Sequence, residues 1–151
     1  EQLRRLYLIF PLERWHKKVS RGLKKEKKWY FLDWTYAPEG GCRLENMVAT
    51  ALFRTCTMLT DMGLGTYGIH YLRTLDGKEI DFVICRDGVP VLAVETKAGD
   101  RTVSRSLMNR KKWFPNGVPP AVQVVGKRGI LKKHAHGMWV MSAERFLRLL
   151  L

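Results

Sequence analysis

The pattern of apolar and polar positions along this 151-residue chain predicts a sheet with a few helices around it. Short apolar runs bounded by turn residues are typical of strands. Such runs occur at 3–10, 29–32, 68–73, 79–85, 90–98, 121–125 and 138–141. Apolar residues at helical spacing predict helices over 43–59 and 102–114, and Ser142 can cap a last helix. We therefore expect an α/β fold with a central mixed sheet flanked by helices.

The first two predicted strands bracket the most basic stretch of the chain, which favours an N-terminal hairpin with a long positive loop. The basic residues in and beside this stretch are Lys17, Lys18, Arg21, Lys24, Lys25, Lys27 and Lys28. They suit an arm that follows a phosphate backbone, and they suit a solvated linker equally well. Pro38, Gly40 and Gly41 then break the pattern. We predict two units, residues 1–36 as the end of a preceding module and residues 37–151 as the main domain.

The charge of the chain favours a polyanionic partner. Lysine and arginine number 27 against 14 acidic residues, which gives a net charge of +13. Nucleic acid is the first candidate and an acidic membrane surface the second, while a basic surface without a ligand is the plain alternative. The sequence contains no apolar run long enough to span a bilayer and no signal-peptide pattern. We therefore expect DNA as the partner and no membrane.

Three further features concern the setting of the protein. The three cysteines include no Cys-x-x-Cys pair, which argues against a zinc ribbon and fits reduced thiols in the cytoplasm. The sequence has no Gly-x-x-x-x-Gly-Lys-Ser/Thr loop, so we expect no ATP site in this chain. Because the sequence begins at Glu1 rather than at methionine, we expect it to be part of a longer protein. The pattern leaves the oligomeric state open.

Charged residues interrupt two of the predicted strands. Asp81 lies in the apolar run 80–84, and Glu95 and Lys97 lie in the run 91–97. A charge in such a strand is costly unless it is paired or binds a metal. Strand alternation places Glu95 and Lys97 on one face. The same alternation divides the preceding strand into two faces, Ile80, Phe82 and Ile84 on one side and Asp81, Val83 and Cys85 on the other.

These side chains suit the hydrolysis of a phosphodiester bond. Asp81 and Glu95 would hold a hard cation, Mg²⁺ or Mn²⁺, with the carbonyl oxygen of Thr96 as a further ligand. Lys97 would orient the attacking water or neutralise the phosphate. Glu45 borders the buried face of the first long helix and would hold a second ion or an ion-bound water.

A structural interpretation of the same residues remains open. Glu95 and Lys97 would then form a surface ion pair of little energetic value, and Asp81 would close a turn or pair with Arg73. Outside the basic stretch, the candidates for phosphate contacts are Arg73, Arg105 and Arg110. Arg105 and Arg110 fall on the polar side of the helix predicted over 102–114, where a solvated face is an equally good interpretation.

Glu45, Asp81 and the run Glu95-Thr96-Lys97, in this order on a helix and two strands, resemble the signature of the PD-(D/E)XK nucleases. Thirteen residues separate Asp81 from Glu95, a spacing that fits the signature. Ile80 stands where the signature has proline, at a position that varies in the superfamily. The resemblance implies a restriction-endonuclease-like fold and, more weakly, Mg²⁺-dependent cleavage by these acids and the lysine, because members of the superfamily lose catalysis while keeping the fold.

Four further segments, Lys28–Asp33, Arg43–Asn46, Tyr71–Thr74 and Gly77–Val83, resemble a narrower family. It is the uncharacterised C-terminal domain of prokaryotic AAA-type ATPases, and the resemblance covers residues 5–125. It implies an ATPase module in the same full-length chain. We therefore expect a metal-dependent DNA endonuclease-like domain. The alternatives are a catalytically inactive nucleic-acid-binding module and a protein-interaction domain with the same fold.

Overall fold

Eight strands form a mixed sheet in the computed structural model, which describes residues 2–16, 26–99 and 102–150. The strands are β1 (Ile9–Arg14), β2 (Lys27–Phe31), β3 (Tyr67–Arg73), β4 (Glu79–Arg86), β5 (Val89–Lys97), β6 (Ala121–Val125), β7 (Leu131–His134) and β8 (Met138–Ser142). The α-helices are α1 (Gln2–Arg5), α2 (Gly41–Asp61), α3 (Arg105–Met108) and α4 (Ala143–Arg148). The predicted α/β class, a mixed sheet with helices, is confirmed.

The strands lie in the order β2-β1-β3-β4-β5-β6-β8-β7. At the centre, β3, β4 and β5 pair antiparallel, and β5, β6 and β8 then run parallel. At the edges, β2 pairs antiparallel with β1, and β7 pairs antiparallel with β8. Parallel strands end on the same side of a sheet, so the carboxyl-terminal end of β5 lies beside that of β6. Because β4 runs antiparallel to β5, the same end of β5 also lies beside the beginning of β4.

Apolar side chains cover both faces of the sheet. The 21-residue helix α2 packs one stripe on the first face, where it meets Phe82, Val94 and Val124. Leu107 of α3 and Phe114 pack on the other face. A long helix with one apolar stripe is stabilised mainly by such packing. The helix predicted over 43–59 is confirmed, and it extends further at both ends.

The amino-terminal segment differs from its prediction. Residues 2–5 form α1, and the first strand covers residues 9–14 rather than 3–10. Pro11 therefore lies inside β1 instead of ending it. Pairing between β1 and β3 begins only at Glu13, so at Pro11 the strand is still open on that side, where a sheet tolerates proline.

The first two strands belong to the same sheet as the rest of the chain. Phe10, Leu12 and Tyr30 join the apolar cluster under α2. The basic segment 17–25 lies outside the described residues, so the hairpin loop stays a prediction. The division into two units at residue 36 also stays a prediction.

The helix predicted over 102–114 is wrong for most of its length. Only α3, of four residues, and a 3₁₀ turn at Arg110–Lys112 are helical. The buried side chain of Gln123 accepts a hydrogen bond from the backbone nitrogen of Ser104 and donates one to the carbonyl oxygen of Thr102. These tertiary bonds hold the beginning of the segment in a non-helical conformation, which the apolar spacing alone does not reveal.

The two Asp-Gly pairs form different turns. Asp87 and Gly88 both have positive φ, 50° and 79°, as a tight two-residue hairpin requires. In the pair Asp76–Gly77 only Gly77 has positive φ, because a wider loop closes between Thr74 and Lys78.

Two smaller differences lie near the end of the chain. Strand β7 was not predicted, and Ser142 occupies the cap position of α4 without a side-chain capping bond.

Candidate functional site

A bulge in β4 decides where Asp81 lies. Between Ile80 and Val83, β4 has one residue more than the facing part of β3. Ile80 therefore packs with Val83 under α3, whereas Phe82 packs under α2. The predicted alternation, with Ile80 and Phe82 on one face, is wrong here because one extra residue reverses the side-chain faces. Asp81 thereby comes within the electrostatic influence of Glu45 on α2.

The carboxylate of Asp81 lies beyond the last backbone pair between β4 and β5. Its Oδ2 accepts hydrogen bonds from the backbone nitrogen of Thr96 at 2.8 Å and from the Thr96 hydroxyl at 2.9 Å. Burial raises the pKa of Asp81 to about 6, together with the negative charges of Glu45 and Glu95, although the bonds from Thr96 lower it. Several acids therefore act on one carboxylate, and a cation would relieve their repulsion.

Glu95 and Lys97 occupy the end of β5. The Lys97 ammonium lies 3.1 Å from Oε1 of Glu95, so the predicted placement of the two residues on one face is confirmed. Glu95 is only 5% exposed. Its second oxygen, Oε2, is buried and has no hydrogen-bond partner among the described residues. Leaving a buried carboxylate oxygen without a donor is costly, so this oxygen marks a place for a cation or a water molecule.

Glu45 projects from the beginning of α2 toward β2. The Tyr30 hydroxyl donates to Oε1 of Glu45 at 2.7 Å, and the Lys28 ammonium lies 3.6 Å from the same oxygen. Lys28 also donates to Glu79. Burial lowers the pKa of Lys28, but the hydrogen bond to Glu79 and the charges of Glu45, Glu79 and Asp81 outweigh it, and the pKa is raised. Lys28, predicted as a phosphate contact, is thus held among carboxylates.

The other predicted phosphate contacts are dispersed. Arg73 lies 3.2 Å from both Glu26 and Glu79, so these two acids, and not Asp81, are its ion-pair partners. Lys27 lies 3.6 Å from a carboxylate oxygen of Glu13. Arg105 is exposed. The predicted contacts Lys17, Lys18, Arg21, Lys24 and Lys25 lie outside the described residues.

Arg110 has a different role from the one predicted. It is 2% exposed, and its guanidinium donates to the carbonyl oxygens of Leu107, Pro119 and His136. A buried guanidinium with these partners stabilises the loops that surround it. The expectation that Arg110 lies on the polar side of a helix is wrong, because the helix that would have turned it outward ends at Met108.

The structure places Glu45, Asp81, Glu95 and Lys97 near the open end of β4 and β5 without closing them around one ion. Within the described ranges, no three His, Cys, Asp or Glu side chains form a group that could bind a metal. Mg²⁺ needs only one or two protein carboxylates, since water and phosphate oxygens complete its shell. The unpartnered Oε2 of Glu95 and the mutual repulsion of Glu95 and Asp81 fit such a cation.

Two residues of this region escaped the sequence analysis. The sequence pattern predicts only that Tyr30 lies in one strand and that Glu79 begins another. The spacing of Lys28 and Tyr30 carries a usable signal, because two residues apart on a strand they must share a face. Only the packing of β2 against α2 shows that this face is the one next to Glu45.

The molecule is a mixed α/β protein with acidic side chains at the open end of β4 and β5. A protein-family profile described as "Domain of unknown function (DUF4143)" matches residues 41–146. The match covers more than half of the chain, and the chain belongs to this family. Searches of curated proteins and of solved structures found no match. None of the helices in the described ranges is both long and apolar enough to cross a membrane.

Proposed function

We propose that this chain is a metal-dependent nuclease domain that hydrolyses phosphodiester bonds in DNA. The observation that carries the proposal is Oε2 of Glu95, which is buried and has no hydrogen-bond partner among the described residues. Asp81 lies on the neighbouring strand, and Lys97 is two residues further along β5. Two acids that repel each other, with a cation beside them, are suited to binding a divalent ion and a phosphate together.

Each residue would have a defined task. Asp81 and Glu95 would hold Mg²⁺ or Mn²⁺, with the carbonyl oxygen of Thr96 as a further ligand, and the two hydrogen bonds from Thr96 orient Asp81. A bound ion would supply an activated water and neutralise charge on the phosphate. The Lys97 side chain, 44% exposed, would orient that water or contact a phosphate oxygen. Glu45 adds negative charge that favours cation binding.

The order of these residues on the elements supports the finer assignment to a superfamily. Glu45 on α2, Asp81 on β4, and Glu95 with Lys97 on β5 follow the order of the PD-(D/E)XK signature. This order supports a restriction-endonuclease-like fold. The sequence resemblance to the C-terminal domain of prokaryotic AAA-type ATPases supports an ATPase module in the full-length chain. The free cysteines Cys42, Cys56 and Cys85 support a cytoplasmic location.

Charge supports DNA as the substrate. The chain carries a net charge of +13. The residues that flank the basic segment 17–25 are attached to β3, since the backbone nitrogen of Trp15 donates to the carbonyl oxygen of Tyr71 and the Tyr71 hydroxyl donates to that of Glu26. The described residues on both sides of the basic segment, Trp15 and Glu26, therefore lie beside β3, the strand that adjoins β4. Lysine and arginine near the site would attract the phosphate backbone.

A cleavage assay tests the proposal. Single-stranded, duplex and branched DNA are incubated with the protein and Mg²⁺ or Mn²⁺, and the products are separated on a denaturing gel. We expect cleavage that EDTA abolishes, that Glu95→Gln abolishes, and that Glu39→Gln leaves unchanged, because Glu39 is an exposed acid outside the site. If all three DNAs stay intact while the protein still binds them, the chain is a non-catalytic nucleic-acid-binding module.

A second candidate function is protein interaction, and an apolar groove favours it. The groove has a volume of about 770 Å³, lies along α2 and the end of the chain, and shares no lining residue with the carboxylate site. Its apolar lining includes Trp34, Met47, Phe53, Met58, Met62 and Leu150. This function predicts that Met58→Glu in the full-length protein abolishes its cellular activity, whereas Asp81→Asn does not.

A further inference from the structure

The strand β2 contributes two side chains to the neighbourhood of Glu45. Lys28 and Tyr30 are two residues apart, so they project on the same side of the strand, toward α2. Both approach Oε1 of Glu45, the Tyr30 hydroxyl at 2.7 Å and the Lys28 ammonium at 3.6 Å. Within the described residues, Oε2 of Glu45 accepts no hydrogen bond. One oxygen of the carboxylate is thus fixed, and the other is left for a ligand.

Tyr30 is rigid enough to fix this geometry. Its side chain is 6% exposed, and its ring lies 5.8 Å from the rings of both Phe10 and Phe82, measured between centroids. Lys28 is restrained as well, because it donates to Glu79 and its ammonium lies 5.4 Å from the centre of the Tyr71 ring. A carboxylate held by restrained groups has its other oxygen directed before a ligand arrives.

We propose that Tyr30 and Lys28 are positioning residues that hold Glu45 for the metal-dependent reaction, so that β2 is part of the functional site. This inference rests on the proposed nuclease function. It has a consequence for the boundaries of the site, because both residues lie outside the segment 41–146 that the family profile matches. The family segment alone would lack the groups that orient one of its acids.

The two residues have separate tasks. Tyr30 fixes Glu45 by a hydrogen bond without adding charge at neutral pH. Lys28 adds a positive charge between Glu45 and Glu79, which offsets the repulsion that these acids would exert on an approaching phosphate. Lys132, an exposed lysine on β7 at the opposite edge of the sheet, serves as a matched control.

The test is a double-mutant cycle on Mn²⁺ affinity, measured by calorimetry on the whole chain. We expect Tyr30→Phe to weaken Mn²⁺ binding about tenfold, which is the usual size of an effect transmitted through a ligand's hydrogen-bond partner. In a Glu45→Gln background, Tyr30→Phe should have no further effect, since the group that it orients has already been changed. Tyr36→Phe, at an exposed tyrosine, should leave Mn²⁺ binding unchanged.

Lys28 is tested by cleavage at saturating Mn²⁺. We expect Lys28→Met to reduce cleavage about tenfold, Lys28→Arg to restore most of it, and Lys132→Met to have no effect. If Tyr30→Phe binds Mn²⁺ normally, or if its effect adds independently to that of Glu45→Gln, the inference is wrong while the nuclease function stands. If the unmodified chain neither binds Mn²⁺ nor cleaves DNA, the proposed function fails and the inference fails with it.

Discussion

The two ends of the β4–β5 ribbon are built from the same pair of strands but differ in how the acid at each end is held. At the hairpin end, Asp87 and Gly88 adopt positive φ, and Asp87 accepts a hydrogen bond from the backbone nitrogen of Thr66 at 2.8 Å. At the open end, backbone pairing stops and the Asp81 carboxylate bonds to Thr96 instead. One end is closed by backbone geometry, and the other is held by buried charges.

The difference shows how a sheet combines stability with chemistry. At the hairpin end, Asp87 is exposed to water and hydrogen-bonds to the backbone of Thr66. The open end gathers acids from three elements, and its Glu95 has a buried oxygen without a partner in the described structure. Buried charge of this kind costs stability, so it is the end where a ligand has something to supply.

The largest expected effect is on the rate of DNA cleavage, and it distinguishes the open end of the β4–β5 ribbon from its hairpin end. Asp81→Asn should reduce metal-dependent cleavage on the order of a thousandfold, because it removes a charged ligand from the proposed ion. Asp87→Asn, the matched change at the hairpin end, should leave cleavage unchanged. Initial rates with Mn²⁺ on one DNA substrate provide the measurement. Equal rates for both variants would remove Asp81 from the site.

A second prediction concerns the close approach that supports the open end. A Cβ atom at Gly126 would lie 2.5 Å from the carbonyl oxygen of Ala98, just beyond the end of β5. Gly126→Ala should therefore lower the free energy of unfolding by about 3 kcal/mol. Gly99→Ala meets no atom within 4 Å and is the control for a similar change nearby. Urea denaturation curves test the pair, and equal midpoints would contradict the prediction.

The third prediction is a stability gain from removing the buried charge. The pKa of Asp81 is raised to about 6, above its ordinary value of 3.8, so the folded chain binds the proton more tightly than the unfolded chain. Stability from this group is therefore present below about pH 4 and is lost as pH rises to about 6. Without metal, Asp81→Asn should stabilise the protein by about 2 kcal/mol at pH 8 and hardly at pH 4. Denaturation at both pH values measures it, and a gain that does not depend on pH would exclude this explanation.

The smallest effect is expected at the hairpin end. Gly88 has φ of 79°, a conformation that costs an L residue with a side chain about 1 kcal/mol. Gly88→Ala should lower the free energy of unfolding by about that amount and leave cleavage unchanged. The thermal midpoint and the cleavage rate are measured on the same sample. A loss of cleavage with an unchanged midpoint would show that the two ends are coupled.

Local signals predicted much of the fold. The apolar stripe of α2 and the strands β3 to β5 depend on contacts between residues close in sequence, and each element is found close to where the pattern placed it. The helix over 102–114 failed because the side chain of Gln123, distant in sequence, holds the backbone there. The face of Ile80 failed because a bulge depends on the pairing of two strands.

The candidate site divides in the same way. The sequence by itself determined that Glu95 and Lys97 share a face, since a strand repeats every two residues. It also determined which acids interrupt apolar strands. Only the tertiary structure decided that Asp81 lies within the electrostatic influence of Glu45, that Lys28 pairs with carboxylates, and that Arg110 is buried. These placements depend on a strand bulge and on packing between distant segments, and neither leaves a periodic trace in the chain.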